Sequence, residues 1–351
     1  MKHKLRMLLL NLVFMLAGVA CLGVLSSCKD SKPTTSCLYG EDVPEDKLEP
    51  ILKTAHKYMS MIEAQDYKEL YEHTGSLVQP GQTRDQFAAV LKTSDDLFGT
   101  KQFSRIKEVY YMTSESKDNQ VTIPCNLGAQ GVNDLWVMPA NFEAAAAIFE
   151  SVAGKNLVRV VIQMVLENEE WKLISVSINP MILQGKKADY FIEQARKNRE
   201  EGKLHLAKMQ YMAAILLHEL GPNVQEHFIS MLANEMNQIQ VDYMPMQSVQ
   251  IWTTPSENSY NVYNLGVVGS GESLYLDLTY LTDSLKDTRT IERESRELAR
   301  LLFEKFPEYK EGFDGIRTTA ITTKEEDRLK SYHVIIPFDE INMQEKEEKQ
   351  K

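Results

Sequence analysis

Seven histidines, four cysteines and scattered serines are the first places to look for nucleophilic or metal chemistry in this 351-residue chain. His218-Glu219 opens like a zinc-protease helix, but the next histidine is His227. Two histidine ligands on one helix face need four-residue spacing, and Gly221-Pro222 interrupts any helix between them. Gly269-Ser270-Gly271 lacks the outer glycine of a nucleophile elbow and falls where a tight β-turn is expected. His56, His73, His205 and His333 are scattered singly. No cysteine pair has metal-ligand spacing, and no glycine-rich loop before a helix could cradle phosphate. No metal, cofactor or catalytic constellation is expected, and the chain reads as a non-enzyme.

Cys28 has a different chemistry. Lys2, Lys4 and Arg6 precede an apolar run from about Met7 to Leu25, which ends in Leu25-Ser26-Ser27-Cys28. The apolar run partitions into a membrane, the small side chains open the backbone to a peptidase, and the thiol accepts a diacylglycerol. The arrangement resembles the signal peptide and lipobox of bacterial lipoproteins. It implies removal of residues 1–27, lipidation of Cys28, and membrane attachment through that lipid. The implied location is the cell envelope, at the outer membrane, facing the periplasm or the surface. Cys21 follows Gly18-Val19-Ala20 and is the poorer acceptor. Polar Lys29-Asp30-Ser31-Lys32 follows at once, and the run is short for a membrane span. Lys29-Asp30 also resembles the charged export signal of surface lipoproteins in Bacteroidetes.

Removing residues 1–27 takes Lys2, Lys4 and Arg6 from a chain of formal net charge −11, leaving −14. Such an acidic chain is unsuited to nucleic acid, which needs clustered Lys and Arg. It also repels anionic lipid, so attachment must come from acyl chains. Hydrophobic residues make up 43% of the sequence, enough for packed cores, and the length points to two or three domains. Cys37 and Cys125 could form a disulfide in an oxidising compartment. Two unpaired thiols are the alternative, because Cys37 lies in a Pro/Thr/Ser-rich stretch. That stretch, 28–45, reads as a flexible tether.

From residue 46 the pattern is helical. Leu48, Ile51, Leu52, Ala55, Tyr58, Met59 and Ile62 form one apolar stripe. Helical segments from Asp66 and from Thr83 follow, then strand-like runs from Phe103 and Val121. A short helix is expected over Ala144 to Ile148. A hairpin over 157–178 turns at Glu167-Asn168-Glu169-Glu170. Three helices before a curved antiparallel sheet, with Ala64-Gln65-Asp66-Tyr67, Leu97-Phe98-Gly99-Thr100 and the ending Glu169-Glu170-Trp171-Lys172-Leu173, resemble the NTF2-like superfamily over 46–180. The resemblance implies an α+β cone. It implies a pocket that Tyr58, Tyr71, Trp136 and Trp171 could line, unless these aromatics are core. It also implies homodimerisation through the open sheet face.

Residues 186–242 read as a helical connector. Ala195, Gly202, Ala207, Tyr211 and Ala214 are similar to a tetratricopeptide hairpin, though an ordinary helical connector would serve equally. The region 247–340 reads as β-β-α-β-β, an α+β sandwich with one helix on an antiparallel sheet. The tail 341–351 is charged and expected to be disordered. Asp283-Ser284-Leu285 resembles the O-glycosylation pattern of Bacteroidetes and would make Ser284 the acceptor; a plain turn before the next helix is the alternative. The function expected is non-catalytic, an adaptor for a protein or glycan partner. A small-molecule binder or enzyme using the cone, or an assembly component of an outer-membrane complex, are the alternatives.

Overall fold

The computed structural model describes residues 34–78, 81–98, 104–116, 118–126, 133–153, 156–221, 223–254, 256–324 and 330–341. Residues 1–27, expected to be a signal peptide, Cys28 and the rest of 28–33 lie outside the described residues, as do 342–351. The chain adopts a mixed α+β architecture.

The expected tether is ordered from Thr34 onward. Strand β1 (Thr34–Tyr39) pairs antiparallel with β2 (Arg105–Glu115) along its whole length. Alternation sends Cys37 to one face of the sheet and Leu38 to the other, so a polar run still anchors itself. Helix α1 (Glu45–Glu63) then buries Ile51, Ala55, Tyr58, Met59 and Ile62, the stripe that its spacing predicts. Helices α2 (Tyr67–Glu72) and α3 (Arg84–Phe98) extend the same layer. Strands β3 (Gln120–Asn126), β4 (Asn133–Pro139), β5 (Glu143–Ala153), β6 (Asn156–Glu167) and β7 (Glu170–Pro180) follow. The main sheet has the order β1-β2-β5-β6-β7, with every pair antiparallel. The β6–β7 turn places Asn168 and Glu169 at positive φ, the geometry a two-residue hairpin needs.

The helix expected over Ala144 to Ile148 is instead the centre of β5. Alanine favours helix by intrinsic propensity, but tertiary packing overrides it here. Ala145, Ala147 and Phe149 face the helices, whereas Ala144, Ala146 and Ile148 face a second sheet, and all six are buried. Small side chains let both layers approach the central strand.

That second sheet has the order β3-β4-β8, where β8 is the two-residue strand Val224–Gln225. It covers the sheet face opposite the helices, enclosing Trp136, Ile123, Met138 and Tyr110. The face through which dimerisation was expected is therefore occupied within the chain.

Helices α4 (Ala188–Glu200) and α5 (Leu204–His218) form the expected hairpin, turned by Gly202 at φ +79°. Ala195 and Ala207 are fully buried. Helix α6 (His227–Asn237) packs beside them. Strands β9 (Met246–Thr253), β10 (Ser259–Ser270) and β11 (Ser273–Leu281), helix α7 (Thr288–Lys305), and strands β12 (Gly315–Ile321) and β13 (Tyr332–Pro337) complete the fold. The sheet gains a strand, β9, ahead of the expected hairpin, and its order is β13-β12-β11-β10-β9. It is also mixed, because β11 and β12 run parallel across the α7 crossover. The helices of 186–242 share one continuous core with this sheet, from Leu183 to Ile341, so they are part of it rather than a separate connector.

Candidate functional site

The four aromatics expected around one pocket divide between the two faces of the main sheet. Tyr58 and Trp171 lie in the helix-side core, where the Tyr58 hydroxyl donates to the Trp171 carbonyl at 2.7 Å. Burial pushes the Tyr58 phenol up to about 12. Tyr71 packs at the margin and donates to the Gln82 carbonyl at 2.8 Å. Trp136 is enclosed on the other side, between the two sheets. Ser284 lies in the β11–α7 loop, where its hydroxyl accepts from the Lys286 amide at 3.2 Å. Cys37 and Cys125 are joined as a disulfide, which ties β1 to β3 and so links the main sheet to the layer above it.

A cleft of about 270 Å³ opens where the main sheet, the second sheet and the α5–α6 connection meet. Strand β2 contributes Lys107 and Glu108, β5 contributes Ile148 and Glu150, β6 contributes Arg159, and β4 contributes Asp134. His218 and Leu220 come from the end of α5, Glu226 and Phe228 from the start of α6. Side-chain alternation explains the wall. Val158, Val160 and Ile162 face the helices, which leaves Arg159 and Gln163 on the opposite side.

Four polar side chains of β6 and β7 hold the connection in place. Arg159 Nη1 donates to the His218 carbonyl at 2.9 Å, and Asn223 Nδ2 donates to Gln163 Oε1 at 2.8 Å. The Ser177 hydroxyl donates to the Leu220 carbonyl at 2.7 Å, and Asn179 Nδ2 to the Glu219 carbonyl at 2.8 Å. Gly221 sits at φ +131°, and a Cβ there would meet Ser177 Oγ at 2.6 Å. Only glycine lets the connection lie this close to the sheet.

The electrostatics follow from burial. Burial raises the Glu226 carboxyl to about 8, outweighing the Leu220 amide that donates to its Oε1 at 2.6 Å and the attraction of Arg159. Asp134 is also held above the usual carboxylate range by burial, although the His227 amide donates to its Oδ1 at 2.9 Å. Glu219, next to the cleft, rises for the same reason. Burial, then the Arg159 charge, holds His218 below the usual histidine value, so its imidazole is neutral at neutral pH. The His218 ring lies 4.6 Å from that of Phe228, and its buried Nε2 has no hydrogen-bond partner among the described residues. Burial lowers Arg159 from its ordinary value, yet no carboxylate among the described residues comes within ion-pairing distance of its guanidinium. Glu150 is engaged by Arg105 Nη2 at 2.8 Å, and Glu108 accepts from the Tyr110 hydroxyl.

The arrangement sets spare donors and spare acceptors around one cavity, which suits the binding of a polar group. Among the described residues, no serine, threonine or cysteine lines it. Among the described residues no group of three metal-ligating side chains comes together. His218 and His227, weighed above as a metal pair, stand on different helices. Sequence reasoning missed Arg159 and Glu226. A signal for the first exists: Arg159 and Gln163 are the two polar residues inside the apolar run Leu157 to Leu166, four apart and so on one face. Glu226 has no such signal. No protein-family model, curated protein or solved structure matches this chain.

Proposed function

We propose that this chain is a lipid-anchored cell-envelope protein, acylated at Cys28 and held at the outer membrane, whose body binds a protein or glycan partner without catalysis. In this reading residues 46–180 are an NTF2-like domain with an added second sheet, and 186–218 are a tetratricopeptide-like hairpin absorbed into the C-terminal core. The observation that carries the binding role is the cleft lined by a half-buried Arg159 that has no carboxylate within ion-pairing distance among the described residues. A charge held partly away from water costs free energy unless something pairs with it, so its retention beside a cavity favours a ligand role. The Cys37–Cys125 disulfide supports an oxidising compartment such as the envelope.

A ligand or an acid/base pair inside the NTF2-like cone is the weaker reading. Tyr58, Phe149, Ile162 and Leu173 occupy that space as packed core. A homodimer would need a surface other than the sheet face covered by β3, β4 and β8.

Two measurements test the proposal. Metabolic labelling with an alkyne fatty acid should mark the full chain in the outer-membrane fraction, and Cys28→Ser should abolish both label and membrane retention. An unlabelled wild-type chain overturns the anchor. Separately, detergent-solubilised full-length protein should retain an envelope component that Arg159→Ala does not retain. Equal retention by both overturns the cleft as the binding site.

A further inference from the structure

We infer that the Arg159 cleft takes a neutral, hydroxyl-rich group, the ring of a saccharide. This deepens the binding role just proposed and rests on it. The cleft is lined by two cations, Lys107 and Arg159, and by the carboxylates of Glu108, Asp134 and Glu150. An anion entering there meets three carboxylates, and a cation meets Arg159 and Lys107. A neutral group that both donates and accepts meets neither penalty.

The unused hydrogen-bonding capacity has the same character. Arg159 spends one of its five donors on the His218 carbonyl. Glu226 uses one oxygen for the Leu220 amide, and Asp134 one for the His227 amide. His218 Nε2 has no partner among the described residues. Spare donors and spare acceptors therefore face one cavity without pairing directly. A hydroxyl is a donor and an acceptor at once, so a ring of hydroxyls can bridge them. Phe228 supplies an apolar surface beside His218, against which the C–H face of a pyranose can lie. At about 270 Å³ the cavity falls at the lower edge of ligand pockets, so it has room for one ring rather than a chain.

The test uses detergent-solubilised full-length protein and three versions of one ring: glucose, glucuronate and glucosamine, followed by saturation-transfer NMR and titration calorimetry. Glucose is expected to bind, with glucuronate and glucosamine weaker. Lys107→Ala, at an exposed position, should weaken glucose binding by about tenfold, the effect of losing one hydrogen bond to a charged group. Arg159→Lys should do the same and keeps a cation if Arg159→Ala fails to fold. Preferred binding of glucuronate or glucosamine overturns neutrality. Absence of binding by all three overturns the saccharide class. In either case Arg159-dependent retention of an envelope component would leave the binding cleft itself standing.

Discussion

Arg159 and Glu150 stand directly opposite each other on adjacent strands, yet they do not pair. Glu150 accepts from Arg105 at 2.8 Å, while Arg159 turns to the His218 carbonyl at 2.9 Å. A cross-strand ion pair would have been the simplest use of these residues. Its absence leaves the Arg159 guanidinium facing a cavity.

Arg159→Ala should destabilise the protein by about 2 kcal/mol, because it leaves the His218 carbonyl unpaired and removes packing against the 218–226 connection. Arg159→Met, which keeps the bulk, should cost less. Urea unfolding of the three proteins ranks them. Equal stability of all three would mean that the contact to His218 does not hold the connection.

Glu226 sets a pH dependence. Its folded value, about 8, lies above the unfolded value of about 4.3. The stability that it contributes is complete below the unfolded value and is lost as pH rises toward 8, by at most about 1.4 kcal/mol per pH unit. Glu226→Gln stays neutral and should remove this loss. His218, held low, acts in the opposite sense below its unfolded value, so the difference between wild type and Glu226→Gln is the quantity to measure. Parallel stability curves between pH 5 and 8.5 would show that Glu226 ionises normally.

Reducing the Cys37–Cys125 disulfide opens a loop spanning 88 positions. The chain-entropy estimate for a loop of this size is about 4.6 kcal/mol. Dithiothreitol should lower the melting temperature of wild type and leave Cys37→Ser/Cys125→Ser unchanged. A wild-type melting temperature insensitive to reductant would mean that the bond adds no stability.

Ala146→Leu tests the central strand. An exposed helix would accept leucine at almost no cost. Between two packed layers, where Ala146 is fully buried, overpacking should cost roughly 1–3 kcal/mol. Chemical denaturation separates the two outcomes.

Tyr58→Phe should cost about 1 kcal/mol by leaving the Trp171 carbonyl without its donor. It should leave saccharide binding unchanged. A loss of binding would return the ligand to the helix-side space.

Local signals sufficed where local physics decides. The apolar stripe of α1, the Gly202 turn and the Asn168-Glu169 hairpin could each be read from spacing and turn chemistry, because each element's own backbone imposes that periodicity. What covers each face was decided by tertiary structure alone. The alanines of β5 read as helix until two layers close on them, and the polar residues of β1 read as a linker until β2 supplies partners for their backbone groups. The parallel pairing of β11 with β12 depends on where α7 crosses. Arg159 and His218 are 59 positions apart, and no periodicity spans that separation. Sequence patterns state which side of an element is apolar; the partner across that side, and the polar residues trapped where partners fail to meet, exist only once the chain has folded.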